Sequence, residues 1–201
     1  MGRLKRFGED GIEVEIYDID GLKAAISGGF EPKYVFFWGH TGRGYGPIGA
    51  ECLSQWYPAP FTDQGRIYPT AEHWMMVGKA ELFGDDDIAH KLMQSHDPGQ
   101  AKALGRQVRG FDEAVWAAHR VERVVQGNRL KFEQNIELRQ FLVRTGSKVL
   151  VEASPNDRIW GIGLAADDER ARTPSQWRGE NLLGFALMRV RGLLCGDEDP
   201  A

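Results

Sequence analysis

The sequence has few of the residues that build disulfide frameworks and metal centres. Its 201 residues include only two cysteines, Cys52 and Cys195, which lie far apart and outside any C-x-x-C pattern. We therefore expect neither a disulfide framework nor a zinc site, and the two thiols are typical of a reduced, cytosolic protein. The five histidines never occur in a metal-ligand spacing such as H-x-x-x-H, so no metal and no other cofactor is expected.

Long apolar runs and an excess of positive charge are also missing. No stretch is apolar over the length that a bilayer requires, and the start of the chain has no signal-peptide pattern. These two absences predict a cytoplasmic protein without a membrane contact. The formal net charge of −4 argues against a strongly basic nucleic-acid-binding protein, although a local basic pocket is compatible with it.

The apolar pattern predicts a single, predominantly helical α+β domain with a few short strands. Apolar runs at 34–38 and 148–152 are the predicted strands. We expect the domain to cover residues 33–194, with an accessory extension at 1–32 and a flexible tail at 195–201.

Several helix boundaries are predicted from local chemistry. Thr70 and Asp112 are suited to cap helix starts, because their side-chain oxygens accept hydrogen bonds from first-turn amides. The helix that begins after Asp112 is expected to stop at Gly127-Asn128, and Gly146 is expected to end the next one. Asn181 is expected to cap the closing helix of the chain.

Two segments have weaker patterns. Alternating apolar and acidic residues at 12–16 suggest an edge strand. The glycine-rich segment 39–47 follows a predicted strand and could wrap a phosphate with backbone N–H groups. It lacks the spacing of a P-loop or a dinucleotide fingerprint, so a lid or a surface loop is an equal alternative.

The stretch from Val151 to Leu164 carries a carboxylate, a cation, an indole and two glycines directly after a strand. A loop of this composition can hold Asp157 and Trp160 at the end of a rigid element, where binding and catalytic groups usually lie. An ordinary turn with a buried tryptophan is the alternative. If the helix that starts at Asn181 lies beside this loop, its N-terminus would suit a phosphate.

A second pair of functional groups lies on the helix after Thr70. Glu72 and Lys79 are seven residues apart and so share nearly the same helix face, with Met75 and Met76 beside them. They form either a solvated face or two functional groups that point into a pocket.

Several separated motifs occur in the order found in one known family. They are Thr70-Ala71-Glu72-His73-Trp74, Lys131-Phe132 with Gln134-Asn135, Leu150-Val151-Glu152 followed by Ser154-x-x-Asp157-x-x-Trp160-Gly161-x-Gly163, and Asn181-x-Leu183-Gly184-x-Ala186-Leu187-Met188-x-Val190-Arg191. Together they resemble the YbiA-like, or NADAR (NAD and ADP-ribose), family. Ser54-Gln55-Trp56 departs from the Ser-Asn-Phe often found in that family.

The resemblance implies an N-glycosidase that splits the bond between ribose C1 and an exocyclic amine on a guanine-derived ring. Two substrates are implied: a ribosylaminopyrimidine phosphate of riboflavin synthesis, and guanine ADP-ribosylated in nucleic acid. With the second substrate, the family acts as the antitoxin of a toxin partner. The competing hypothesis is a module that binds NAD or ADP-ribose without cleaving it. A helical interaction protein ranks last, because it leaves the 151–164 loop unexplained.

The residues of these motifs suit that chemistry. Cleavage of a ribosyl C–N bond builds positive charge on the sugar, and the departing amine needs a proton. Our hypothesis gives acid–base work to Glu72, while Asp157 holds the ribose hydroxyls or stabilises the cationic ring. Since a ribosylamine can open to an imine, Lys79 could instead attack C1 as a Schiff-base nucleophile. The residues expected to contact substrate are Trp38, Ser54, Trp74, Arg158, Trp160, Gly161 and Asn181.

Overall fold

A computed structural model of the protein describes residues 16–40 and 47–196. These residues form seven α-helices and four short strands, so the fold is α+β and predominantly helical, as predicted. In chain order the elements are α1 (Ile19–Ser27), β1 (Tyr34–Phe37), β2 (Phe61–Asp63), β3 (Arg66–Tyr68), α2 (Ala71–Leu82), α3 (Asp86–Gln94), α4 (Pro98–Gly105), α5 (Glu113–Gln134), α6 (Ile136–Arg144), β4 (Val149–Glu152) and α7 (Leu182–Gly196).

Some expectations fall outside the described residues. These are the edge strand at 12–16, apart from its last residue, most of the glycine-rich segment 39–47, and most of the tail at 195–201. Within the described part of the chain, no helix is both long enough and apolar enough to cross a membrane.

Contacts between Cα atoms group the chain into two compact units. One unit contains residues 1–54 and 137–201, and we call its described part the strand unit. The other contains residues 55–136 and is called the helical unit.

The strand unit is built around a parallel pair of strands. Tyr34 of β1 lies opposite Val149 of β4, and Phe37 lies opposite Glu152. Both strands lie within the ranges predicted from the sequence. Helix α7 packs on β4 very closely: a Cβ atom on Gly184 would lie 2.1 Å from the carbonyl oxygen of Leu150. Glycine at this position therefore sets the distance between the helix and the strand.

The helical unit has α2 at its centre, where it contacts α3, α4 and α5. Two of its helices begin at the predicted caps. Thr70 Oγ1 accepts the His73 N–H at 3.4 Å, and Asp112 Oδ1 accepts the Val115 N–H at 2.9 Å. These helix starts are confirmed because capping depends on residues within one turn of the chain.

The predicted end of α5 at Gly127-Asn128 is wrong, because the helix continues to Gln134. Packing explains the glycine: a Cβ atom on Gly127 would lie 2.2 Å from Cδ1 of Trp74. Asn128 is fully buried, and its amide is bonded within the unit instead of ending the helix. A further helix, α1, lies within the segment expected to be an accessory extension, where the sequence pattern predicted no helix.

Candidate functional site

Asp157 organises the loop that follows β4. Its Oδ1 accepts backbone N–H groups from Ile159 at 2.9 Å and from Trp160 at 2.8 Å, which closes a tight turn. No hydrogen bond from any described residue reaches its Oδ2. Asp157 is half-buried, so one carboxylate oxygen shapes the loop while the other is available to a ligand.

The same loop folds back against the end of β4. Ile162 donates its N–H to the carbonyl oxygen of Glu152 at 2.9 Å, and Gly163 donates to that of Asp157 at 3.0 Å. A Cβ atom on Gly161 would lie 2.8 Å from the Glu152 carbonyl oxygen. This close approach explains Gly161 by packing, whereas its predicted contact with substrate stays a prediction.

Asn181 lies at the start of α7, as predicted, but its side chain does not cap the helix. Its Nδ2 donates to the Leu150 carbonyl at 2.9 Å, and its Oδ1 accepts the Glu152 N–H at 2.9 Å. The residue is fully buried and has a φ of 55°, which asparagine tolerates better than most residues. Asn181 therefore ties α7 to β4, and this geometry gives no support to a direct contact with substrate.

The start of α7 offers little to a phosphate. The backbone N–H groups of Asn181, Leu182 and Leu183 donate to the carbonyls of residues 161, 159 and 160, at distances of 3.1–3.2 Å. A helix N-terminus binds anions through amides that have no partner, and the loop already engages these three. The phosphate seat expected at this helix is therefore not formed there.

Other predicted contact residues lie around one end of the strand pair. Ala153 donates its N–H to the Phe37 carbonyl at 2.9 Å, so β1 and β4 end side by side. Trp38, directly after β1, is 60% exposed, and the half-buried Trp160 and exposed Arg158 lie in the loop after β4. Trp38 and the Asp157 loop thus follow the adjacent ends of two paired strands, and both have exposed surface. Ser54 ends a 3-10 helix that packs against β1.

The helical unit contains a buried polar cluster that we define by Gln55, Glu72, Asn128 and Lys131. Their exposed fractions are 7%, 3%, 0% and 0%. The Glu72 N–H donates to the Gln55 carbonyl at 3.0 Å, and Asn128 Nδ2 donates to Gln55 Oε1 at 2.7 Å. Lys131 follows Asn128 by one helical turn, with its Nζ 5.8 Å from the ring centre of Tyr57. Charged side chains are rarely buried so completely unless they are paired or functional.

Each of the two amides in this cluster has one buried atom with no hydrogen-bond partner among the described residues: Nε2 of Gln55 and Oδ1 of Asn128. Leaving a buried donor or acceptor unsatisfied typically costs about 1–3 kcal/mol. Such atoms are rare in native proteins and need an explanation, and a role in binding or catalysis is one. The amide pair therefore offers one donor and one acceptor inside the helical unit.

Two other predictions for this unit are changed by the structure. Lys79 Nζ donates to the Gly105 carbonyl at 2.9 Å and lies 3.9 Å from the ring centre of Phe111, and burial lowers the pKa of its amine. It lies two helical turns from Glu72, about 10 Å along the axis. The amine is therefore directed at the end of α4, which gives no support to a nucleophile acting beside Glu72.

Trp74 belongs to the core. Its Nε1 donates to the Arg123 carbonyl at 3.0 Å, and the Arg123 guanidinium lies 4.4 Å from its ring centre. The Tyr68 ring packs against it at 5.0 Å between centroids, and the indole is only 5% exposed. Its predicted contact with a base is not supported, because neighbouring side chains already cover the ring.

Sequence reasoning missed Asn128 as a functional candidate and gave Lys131 no role. Both lie on the α5 face that also buries Val124 and Phe132. Polar residues in register with an apolar stripe are the sequence feature that could have identified them. Because α5 was expected to end at Gly127, Asn128 and Lys131 were not placed on this face of the helix.

Comparison with known proteins agrees with the fold. The NADAR domain matches residues 36–195. The chain is 43% identical over 164 residues to N-glycosidase R617 of Acanthamoeba polyphaga mimivirus, covering 79% of this chain and 95% of that protein. It is 32% identical to riboflavin biosynthesis protein VVA0006 of Vibrio vulnificus, covering 69% of this chain but only 34% of that protein. The NMR structure of the E. coli protein YbiA superposes with a TM-score of 0.67 at 24% identity, covering 84% of this chain and 89% of YbiA.

Proposed function

Because the chain belongs to the NADAR domain family, we propose that it is an N-glycosidase that hydrolyses the N-ribosidic bond of a ribosylamine on a guanine-derived ring. The observation that carries this proposal is the buried polar cluster, in which Glu72 is only 3% exposed and donates its backbone N–H to the carbonyl of Gln55. ADP-ribosylated guanine and a ribosylaminopyrimidine phosphate share the required bond. The riboflavin name of one relative favours testing both.

Glu72 is the proposed acid–base residue. Breaking the C1–N bond leaves the amine in need of a proton and the sugar in need of an activated water, and one positioned carboxyl group can serve both steps. A buried carboxyl interacts more strongly with developing charge than an exposed one, because the surrounding dielectric is low. Asp157 is proposed to act on the ribose side of the substrate, through the Oδ2 atom that the loop leaves available.

A Schiff-base route is the alternative mechanism, and we propose Lys131 as its first candidate nucleophile. In this route the sugar ring opens, a lysine Nζ bonds to C1, and the aglycone amine departs with a proton. Water then hydrolyses the lysine imine and restores the amine. Lys79 is held by the Gly105 carbonyl, whereas Lys131 is fully buried one turn from Asn128. Burial of this kind is typical of lysines used in covalent catalysis, so Lys131 replaces Lys79 as the first candidate.

The decisive experiment incubates the protein separately with guanine-ADP-ribosylated DNA and with the ribosylaminopyrimidine phosphate, and follows release by mass spectrometry. Glu72→Gln should lower turnover by about 10²–10⁴-fold, with an unchanged melting temperature. Asp86→Asn is the matched control, because this exposed acid lies in the same unit and should leave turnover unchanged. Full turnover by Glu72→Gln would contradict the assigned role. If the wild type binds ADP-ribose but releases neither product, the non-catalytic binding module is correct.

Borohydride trapping separates the two mechanisms. An adduct that forms in the wild type and in Lys79→Ala, but is lost in Lys131→Ala, would establish the Schiff-base route through Lys131. An adduct lost only in Lys79→Ala would instead identify Lys79 as the nucleophile. Turnover without any adduct in repeated trials would support direct hydrolysis.

A further inference from the structure

The strand unit contains a cavity that lies outside the proposed catalytic groups. It has a volume of about 650 Å³ and is lined by residues of α1, the segment 30–32, the start of β1 and the segment 172–175. This volume is within the usual range for small-molecule sites. Its lining residues between 23 and 34 precede the part of the chain that matches the NADAR domain, so the cavity is not built by that domain alone.

One wall of the cavity is suited to a flat ring. Tyr34 lines it, and the Tyr34 ring stacks on that of Phe36 with 5.6 Å between centroids and 30° between planes. The two residues share one face of β1, because side chains alternate along a strand. The remaining apolar lining consists of Ile26, Phe30, Pro32 and Pro174.

The same cavity carries cations that suit an anion. The Arg172 guanidinium lies 5.5 Å from the Phe36 ring centre, and it has no hydrogen-bond or ion-pair partner among the described residues. By contrast, Arg170 is bonded to both carboxylate oxygens of Asp168, at 2.9 and 2.6 Å. Lys23 also lines the cavity and has only a long contact of 3.4 Å with Asp20. A guanidinium that lies near an aromatic ring and has no hydrogen-bond or ion-pair partner among the described residues is available to a phosphate or carboxylate.

Polar groups of the lining could fix the orientation of such a ligand. Burial raises the pKa of the Tyr34 phenol to about 12, so it is a neutral hydrogen-bond donor at physiological pH. Glu31 also lines the cavity and can accept hydrogen bonds from sugar hydroxyls or a ring amine. The Glu31 carboxylate would repel a second negative charge on the ligand. It therefore favours a ligand whose sugar and ring are neutral and whose charge is confined to one end.

We propose that this cavity is a second, non-catalytic site for a nucleoside monophosphate. The base lies against Tyr34 and the apolar wall, and the phosphate lies at Arg172 and Lys23. The segment before the NADAR domain thereby gains a function as one side of a binding site.

Adenosine 5′-monophosphate is the probe, and isothermal titration calorimetry on the full chain is the measurement. Arg172→Gln should weaken binding by about tenfold or more, as the loss of a charge-assisted contact to phosphate requires. Arg170→Gln is the matched control and should bind as the wild type does. Adenosine and ribose 5-phosphate should each bind more weakly than the monophosphate, because each lacks one half of the recognised molecule.

A second pair of variants keeps this site distinct from the proposed catalytic groups. Lys23→Gln should weaken binding, whereas Asp157→Ala should leave the Arg172-dependent binding event unchanged. If Asp157→Ala weakens binding and Arg172→Gln does not, the probe occupies the other site and the proposal is overturned. Absence of any binding at millimolar probe would overturn it too, whatever the outcome of the glycosidase assay.

Discussion

Two sets of polar side chains, one in each unit, are used in opposite ways. In the strand unit, Asp157 and Asn181 are bonded to backbone groups of the 157–160 turn and of β4. In the helical unit, Asn128 is bonded to the side chain of Gln55, and each of the two amides keeps one buried atom without a partner among the described residues. The first arrangement stabilises a shape, whereas the second leaves hydrogen-bonding capacity unused inside a core.

This difference indicates where stability and function are located. A buried polar atom that stabilises the fold is normally satisfied, and one that remains unsatisfied is retained for another reason. We therefore expect substitutions at the junction of α7 and β4 to lower stability. Substitutions in the buried polar cluster should change activity more than stability.

The largest expected effect on stability is at the α7–β4 junction. Gly184→Ala would place a Cβ atom 2.1 Å from the Leu150 carbonyl oxygen and 2.4 Å from Asn181 Nδ2. Because both neighbours are fixed, we expect the free energy of unfolding to fall by about 3 kcal/mol, the upper part of the usual range for overpacking. Urea denaturation measures this change.

Gly196→Ala on the same helix is the matched control, because no atom of the surrounding described residues lies within 4 Å of its Cβ position. It should be neutral or slightly stabilising. Equal, small changes in both variants would show that the junction is not rigid. The proposal that the α7–β4 junction stabilises the strand unit would then be wrong.

A second prediction tests the helical unit directly. The double variant Gln55→Met/Asn128→Leu replaces both partners of a buried amide pair, which is often nearly neutral for stability. We expect its free energy of unfolding to stay within about 1 kcal/mol of the wild type, while glycosidase turnover falls at least tenfold. Asn181→Leu, in contrast, leaves the Leu150 carbonyl and the Glu152 N–H unsatisfied and should lose about 2 kcal/mol.

Urea denaturation and the release assay, performed on the same preparations, distinguish these outcomes. A double variant that is as destabilised as Asn181→Leu would show that the amide pair has a structural role. A stable double variant with full turnover would remove Gln55 and Asn128 from the candidate site.

The difference between the units also explains what the sequence could predict. Thr70 and Asp112 were predicted as caps because their partners lie three residues away, at His73 and Val115. Asn128 was misread because its partner, Gln55, lies 73 residues away along the chain. Tertiary packing overrides local propensity in such cases.

The same limit applies to the candidate site. Glu72 and Asp157 are candidates because each lies in a family-like motif. Lys131 lay in one of these motifs too, but its complete burial is a property of the folded helix and not of the neighbouring sequence. Asn181 was correctly placed at the start of α7, although the groups it binds lie about thirty residues earlier on β4.

The smallest expected effect concerns His73. This residue follows Glu72 in α2, and its side chain is only 1% exposed. Its Nδ1 lies 2.9 Å from Thr70 Oγ1, and burial lowers the pKa of its imidazole, against an opposing effect of the Asp97 carboxylate. Because the pKa is lower in the folded state, the unfolded state takes up a proton more readily as the pH falls below about 6.5. The contribution of His73 to stability is therefore complete above that pH and is lost as the pH falls through the folded-state value.

Urea denaturation at pH of about 7.5 and 5.5 tests this expectation. The wild type should lose more stability between the two conditions than His73→Gln, which has no titrating ring. Equal losses would mean that the folded protein protonates His73 as easily as the unfolded chain does. In that case the interior of the helical unit would be open enough to solvate a charge, and the burial of Glu72 would no longer support an unusual reactivity.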